Sequence, residues 1–562
     1  MKIRTPFRLR LLASLLPVVA LAGCAGLVSA PPTTPVAVKV LAINDFHGNL
    51  KPASGGIRIK DPQDPSKTIT VPAGGAEHLA TAVAQLRKAN PNHVFVAAGD
   101  LIGGSPLLSA LFYDEPTIES LSLMGLEITA VGNHEFDSGI AELLRKQYGG
   151  CHPKDGCKGP TQFKGASFKY LAASTWDTRT NKTVLPAYHV KSFEGVPVAF
   201  IGLTLKGTPE IVTPAGVAGL RFDDEAETVN KLVPELRTKG IEAIVLLIHE
   251  GGFPTGDYNE CPGISGPIVD IVKKLDKAVD LIVSGHTHRA YQCQVDGRLV
   301  TSGDKYGTVV TEIDLQLDRK TRDVIAAKAN NVIVRTATYA KDPAQTQLIA
   351  AYEKLAEPLA KRVIGRIDAS IAREADAAGA MPMGQLIADA QLAASAAAAD
   401  GGAQIAFMNT GGVRAALTRS ASGEVSYADA FAVQPFYNNL VTMTLTGDQI
   451  RRLLEQQWRT EELRAVFLQV SQGFSYSWDA SKPLGARIVA GSMMLNGQPI
   501  DAAASYRVTV NSFLSSGGDG FRVLTEGKAL RTGIMDVDAL ERYLSAGRSI
   551  RPPALDRVKR IN

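Results

Sequence analysis

A chain of 562 residues with 45% hydrophobic and 21% charged side chains is too long for one core and too ordinary in composition to be fibrous or disordered. Two globular domains with a connector are expected. The net charge of +4 resides in residues 1–23, which carry four basic groups and no acidic one; without them it is 0, which gives no basic footprint for a nucleic-acid polymer.

Lys2, Arg4, Arg8 and Arg10 precede the apolar run Leu11 to Leu21, the pattern of an export signal. The run closes on Leu21-Ala22-Gly23-Cys24, which resembles the lipobox of bacterial lipoproteins. That resemblance implies removal of residues 1–23, acylation of Cys24, and attachment to a membrane through this N-terminal lipid. Cleavage after Val28-Ser29-Ala30 is the alternative. Ala25 lacks the Asp associated with inner-membrane retention, so the expected location is the cell envelope, at the outer membrane or periplasm if the host is Gram-negative. Residues 24–35, with Pro31-Pro32-Thr33-Thr34-Pro35, read as a tether. No later run approaches the roughly 20 apolar residues that span a bilayer.

Residues 36–341 alternate strand-like and helix-like segments, the signature of a layered α/β domain. Strands are predicted at Val36 to Ile43, His93 to Ala98, Ile128 to Val131, Val198 to Leu203, Ala243 to Ile248 and Leu281 to Ser284. Helices are predicted at Gly75 to Lys88, Pro116 to Gly125, Asp224 to Lys239 and Ile264 to Leu275. Cys151, Cys157, Cys261 and Cys293 form an even set in an exported chain. Three pairings exist; the spacing favours Cys151 with Cys157 and Cys261 with Cys293. Residues 342–361 read as a connector helix with Leu348, Tyr352 and Leu355 on its stripe. Residues 362–558 form a second α/β domain with a helix over Gly384 to Ala399 and strands near Ile405 to Met408, Leu440 to Leu445 and Tyr506 to Val510.

Five predicted strand ends carry polar groups able to bind metal: Asp45-Phe46-His47, Gly99-Asp100, Gly132-Asn133-His134-Glu135-Phe136-Asp137, His249-Glu250 and Gly285-His286-Thr287-His288. Ligands in open α/β sheets gather beyond the carboxyl ends of strands, so these blocks point to one metal site. Two adjacent ions need a shared carboxylate, and Asp100 is the natural bridge. His134 is free for chemistry, and Asp137 three residues on can orient its imidazole if the turn is helical. Glu135 has no assigned role.

These blocks, in this order, closely resemble the calcineurin-like metallophosphoesterases of the bacterial 5'-nucleotidase family. The resemblance implies an α/β/β/α sandwich joined by a helix to an α/β substrate-binding domain. It places Asp45, His47 and His288 on one divalent ion and Asn133, His249 and His286 on a second, with Asp100 on both. Mixed nitrogen and oxygen donors suit Zn, Mn, Co or Fe. His134 and Asp137 become a catalytic dyad for in-line attack of metal-activated water on phosphorus. Asn409-Thr410-Gly411-Gly412-Val413-Arg414, Gln434 to Asn439, Asn511 to Leu514 and Gly517 to Gly520 resemble the substrate half of the family. Carried over, Phe436 and Phe513 clasp a base, Asn409 contacts it, Asp519 binds ribose hydroxyls, Arg414 holds phosphate, and Gly412 counts among the substrate-binding residues.

Two positions depart from the pattern. Gly379 stands where the family commonly has Arg, with Arg373 nearby but out of register, and Ser174 stands where Asn is common. The expected activity is therefore hydrolysis of nucleotide phosphate esters, with 2',3'-cyclic nucleotides, UDP-sugars, dinucleotides or a sulfur ester as alternative substrates. A surface binding protein without catalysis is the remaining reading. The family resemblance also implies a rotation of one domain against the other.

Overall fold

The computed structural model describes residues 34–562 apart from positions 54, 460–464 and 548. The export signal, Cys24 and nearly all of the tether lie outside the described residues. Among the described residues no helix is long and apolar enough to cross a membrane.

Alternation along the strands builds the N-terminal domain. In Val36–Ile43, Val38, Val40 and Ala42 face one way and Leu41 and Ile43 the other; in His93–Ala97, Val94 and Val96 oppose Phe95 and Ala97. The first set joins Val198, Phe200, Val245 and Leu247 from a second sheet in one buried layer. The opposite face of the first sheet packs on helices Ala76–Arg87 and Glu115–Leu123. Ile244, Leu246 and Ile248 of the second sheet pack on helices Glu225–Thr238 and Pro267–Lys274. The result is an α/β/β/α sandwich of two six-stranded sheets.

Both sheets have parallel centres. Val36–Ile43, His93–Ala97, Ile128–Ala130 and Lys169–Leu171 run parallel in the first, and Val196–Thr204, Ala243–His249 and Leu281–Ser284 in the second. Their registers pair Ile43 with Ala97 and Ile248 with Ser284, so the polar blocks after each strand emerge side by side. The six expected strands and four expected helices are present with ends moved by a few residues. Arg298–Gly303, parallel to Leu281–Ser284, and the antiparallel border strands Ala290–Val295, Val309–Leu317 and Val324–Ile333 carry mixed polar and apolar residues and were not expected. Cys151 pairs with Cys157 and Cys261 with Cys293.

Helix Pro343–Ala360 connects the domains, but its buried stripe differs from the expected one. Gln345, Ile349, Tyr352 and Ala356 are buried while Leu355 is 47% exposed. The Gln345 amide accepts from Ser120 Oγ at 2.7 Å and donates to Ser120 O at 3.0 Å, so a satisfied polar residue sets the helix rotation.

The C-terminal domain centres on a five-stranded sheet in the order Leu468–Val470, Ile405–Asn409, Ser505–Asn511, Asn439–Thr446 and Lys528–Met535. Helix Pro382–Ser395 covers it and stops before the alanine run expected inside it. Ala396 to Ala399 are exposed and have no core to join.

Arg298 closes the short helix Pro267–Lys274. Its buried guanidinium donates to the carbonyls of Val272, Leu275, Asp276 and Val279 at 3.2, 3.0, 2.8 and 2.9 Å, satisfying acceptors that a helix end leaves open. Replacing it by Met should destabilise the protein by roughly 3 kcal/mol, seen as a lower urea midpoint at unchanged m value.

Candidate functional site

The two metal-side clusters form where the sheets' strand ends meet. Asp45, His47 and His288 present ligand atoms within 4.8 Å of one another, and so do Asp100, His249 and His286. His47 Nε2 lies 3.6 Å from Asp100 Oδ2 and 3.7 Å from Asp45 Oδ1, while His249 Nε2 is 3.0 Å from Asp100 Oδ2. Asp100 therefore stands between the clusters. Asn133 Oδ1 is 3.1 Å from His286 Nδ1, which adds its amide to the second.

Backbone geometry makes this convergence possible. Asp45, His47, Asp100, His286 and His288 all have φ between 46° and 70°, the left-handed region that non-glycine residues seldom occupy. Gly99 shares it at φ 80°, and a Cβ there would fall 2.8 Å from His249 Nδ1. Gly132 serves by close approach: a Cβ would fall 2.2 Å from Asp100 Oδ1.

The donor set fits divalent cations. His47 Nδ1 donates to Gly103 O at 2.8 Å and His249 Nδ1 to Ala98 O at 2.7 Å, which leaves each Nε2 with its lone pair directed inward. His249 Nε2 is buried without a hydrogen bond among the described residues, and His47 Nε2 faces His288 Nε2 at 3.1 Å. Lone pairs set against each other and against carboxylates repel unless positive charge lies between them. Burial opposes charge on His249, yet the Asp100 carboxylate overrides it and pushes the imidazole up to about 10, so the positive charge demanded at Nε2 can come from a proton or from a divalent ion that displaces it. Burial likewise opposes ionisation of Asp45, and His288 and His47 outweigh it and hold the carboxyl well below its usual range.

His134 and Asp137 border this centre. The turn His134–Phe136 is a 3-10 helix, so the two side chains share a face, and His134 Nδ1 lies 2.7 Å from Asp137 Oδ2. The His134 backbone N–H donates to Asp100 Oδ1 at 2.9 Å. Burial disfavours the imidazolium, but Asp137 and Asp100 win and raise the His134 pKa. His134 also comes within ligand distance of His47 and Asp100; its bond to Asp137 sets it apart from that group.

A cleft of about 1150 Å³ joins Asn133, His134, Asp137 and His286 to Asn409, Gly412, Arg414, Phe436, Phe513 and Asp519. Arg414 lies over Phe436 at 5.7 Å, and its Nε and Nη2 are buried without a hydrogen-bond partner among the described residues. Asn409 Nδ2 donates to Asp519 Oδ2 at 2.7 Å, and Asn511 Nδ2 donates to Asn409 Oδ1 at 3.0 Å. Gly412 is packed so closely that a Cβ would meet Asn409 Oδ1 at 2.9 Å. Phe436 stacks on His134, with centroids 5.6 Å apart and planes at 15°, whereas Phe513 lies against Gly518. Both rings line the same cleft.

The departures acquire physical reasons. The Phe467 ring occupies the side-chain space at Gly379, where a Cβ would come within 2.3 Å of it. Arg373 is half-buried, and its charge is felt by Tyr306, which Arg414 and Lys305 also face. Ser174 Oγ donates to Thr204 O at 2.9 Å and accepts from Thr204 N at 3.2 Å, a link between strands.

Two residues were missed. Tyr306, at φ 58°, donates its N–H to Asp45 O at 2.8 Å and sets its ring 6.0 Å from His47 and 5.9 Å from His288. Glu135 is buried and accepts from the N–H groups of Asp100, Leu101 and Gly132 at 2.9, 2.8 and 2.6 Å. It ties the loop of Asp100 to the loop of Asn133 and His134, and Asp100 returns the tie through His134 N. A buried acid inside a motif was the sequence signal; its three partners are visible only in the fold. In Glu135→Gln an amide N–H must face a backbone N–H, so divalent-ion affinity should fall about tenfold or more, read by Mn²⁺ titration calorimetry. Unchanged affinity would remove the bracing role.

The sequence profile of the calcineurin-like phosphoesterases matches residues 38–290, and that of the 5'-nucleotidase C-terminal domain matches residues 363–526. The endonuclease YhcR of Bacillus subtilis is 32% identical over 92% of this chain, which spans 40% of that protein. The cell wall protein Lmo0130 of Listeria monocytogenes is 32% identical over 91% of this chain and 67% of its own length. A 5'-nucleotidase precursor from Thermus thermophilus superposes with a TM-score of 0.76 at 27% identity, covering 94% of this chain and 99% of that one. With both domains matched in order and the metal-side clusters assembled at their strand ends, the chain belongs to the 5'-nucleotidase family of calcineurin-like phosphoesterases.

Proposed function

We propose that this protein is an exported, lipid-anchored phosphohydrolase that removes phosphate from nucleotides held across the cleft. The observation that carries this reading is the placement of the His134–Asp137 pair between the inward-facing metal donors and the unpartnered nitrogens of Arg414. Asp45, His47 and His288 would hold one divalent ion, Asn133, His249 and His286 a second, and Asp100 both. Such ions, when bound, supply positive charge to the phosphoryl oxygens and acidify water for in-line attack.

The chain's own groups do the rest. Asp137 fixes one ring nitrogen of His134, which leaves the other to give a hydrogen bond and positive charge to the phosphoryl group or to the departing oxygen. Arg414 neutralises a further phosphate charge and gains the partners it otherwise lacks. The Phe436 and Phe513 rings offer faces to a base, and stacking tolerates any base. Asn409 and Asp519, bonded to each other across the cleft wall, offer polar edges to base and ribose.

One second reading has support of its own. The cleft of about 1150 Å³ exceeds the ordinary small-ligand pocket of roughly 300–1000 Å³, and Phe467 fills the place of the family's common Arg. The volume favours a substrate larger than a nucleoside monophosphate, such as a dinucleotide or UDP-sugar, and the missing Arg removes one group that would hold a monophosphate; 2',3'-cyclic nucleotides share the same chemistry.

Phosphate release should be measured from nucleoside monophosphates, cyclic nucleotides, UDP-glucose, a dinucleotide and, because a relative bears the name endonuclease, a short oligonucleotide. Chelation should abolish turnover and Mn²⁺, Co²⁺, Zn²⁺ or Fe²⁺ restore it. Silence across the metal-loaded panel would leave only the binding-protein reading. His134→Ala should retain its metal content while turnover falls by about 10²–10⁴; loss of metal, or undiminished turnover, would sink the assigned role.

A further inference from the structure

The small loop closed by Cys151 and Cys157 lies at the cleft and converges on one side chain. His152 and Gly156 exchange backbone hydrogen bonds at 3.2 and 2.9 Å, making a hairpin that the disulfide closes. His152 stacks on the Tyr113 ring at 4.0 Å with planes 8° apart. Asp155 accepts from the Tyr113 hydroxyl, and Lys158 Nζ donates to that hydroxyl at 3.0 Å while lying 4.6 Å from the ring centroid. Tyr113, Asp155 and Lys158 all line the cleft.

The neighbouring residue, Asp114, connects this grip to the metal side. Tyr113 and Asp114 are consecutive left-handed residues, with φ 56° and 59°, a costly conformation that persists only where neighbours enforce it. It delivers the Asp114 carboxylate to Gly103 N at 3.3 Å and Ser109 Oγ at 2.6 Å. Gly103 O is the acceptor for His47 Nδ1 at 2.8 Å, and a Cβ on Gly103 would fall 2.6 Å from His134 Cβ. Both cysteines of the hairpin are exposed, whereas Cys293 of the other bridge is buried.

We propose that the Cys151–Cys157 hairpin is a thiol-sensitive clamp that holds Tyr113, and through Asp114 the Gly103 loop that positions His47 and His134. Opening it takes a dithiol, which gives two electrons and two protons to the Sγ–Sγ bond. Two cysteine thiols result, and the dithiol closes to its own disulfide. Release of Tyr113 then lets the Gly103 loop relax and weakens both ion binding and turnover. The kinetic half of this inference rests on the proposed phosphohydrolase activity; the ion-binding half does not.

The test uses the whole protein exposed to dithiothreitol under native conditions, with iodoacetamide counting the opened thiols. When two thiols are labelled, Mn²⁺ affinity and kcat should each fall about tenfold. Cys151→Ser/Cys157→Ser should begin at the lowered values and ignore dithiothreitol. Tyr113→Phe, with its bridge intact, should fall in the same direction and lose little more on reduction. Cys261→Ser/Cys293→Ser should keep the full response. Wild-type Mn²⁺ affinity with both hairpin thiols alkylated, or in folded Tyr113→Phe, overturns the clamp. Lowered affinity in a protein that releases no phosphate upholds the clamp and refutes the phosphohydrolase reading instead.

Discussion

Everything in the metal-side centre depends on holding several unfavourable backbone conformations at once. Five of its seven proposed ligands, Asp45, His47, Asp100, His286 and His288, sit in left-handed backbone. Each such residue costs on the order of 1 kcal/mol or more, and the arrangement also brings imidazole lone pairs and carboxylates together. The cost is met by cross-bracing between loops. Glu135 binds three backbone N–H groups, Asp100 accepts from His134 N, Asp45 accepts from His286 N, and Asn44 bridges Asp45 and Asp304 O. Charged and polar side chains thereby do for the loops what hydrogen-bond ladders do for the strands beneath them.

The sandwich supplies a rigid base for that bracing. Because the sheets pack face to face through Val40, Val96, Phe200 and Val245, the parallel strand ends of one sheet lie beside those of the other. His249 and His286 come from the second sheet, Asp100 and Asn133 from the first. A small shift between the sheets would part these ligand sets, so the centre is a reporter of interior packing as much as of loop sequence.

The C-terminal side of the cleft is built on a different plan. Asn409, Asn511 and Asp519 satisfy one another, Gly412 lets the backbone approach them closely, and Arg414 and Phe436 reach across toward His134. One wall is therefore rich in unshared electron pairs, and the other offers aromatic faces and two Arg414 nitrogens, Nε and Nη2, without a hydrogen-bond partner among the described residues. The proposed function divides chemistry and recognition between two domains, and the helix Pro343–Ala360, fixed to the first by Gln345 and Ser120, joins them.

Much of this was legible in the chain. Short continuous apolar runs marked the strands, since a strand buried on both faces has few other ways to be written, and the polar blocks after them marked the site. Cysteine spacing favoured the two observed bridges among three possible pairings, and the three-residue step from His134 to Asp137 allowed the shared face that the 3-10 turn then provided. Tertiary structure alone decided the rest. The stripe of the connector helix followed a buried Gln because its partner, Ser120, is 225 residues away. Glu135 acquired its role from N–H groups on another loop, and Tyr306 from Asp45 and His47, which lie near the other end of the domain's sequence. The space at Gly379 went to Phe467, and the Phe436 ring gained a stacking partner in His134. Sequence records local periodicity and residue chemistry; which polar groups satisfy one another across the fold is settled only when the packed layers bring them together.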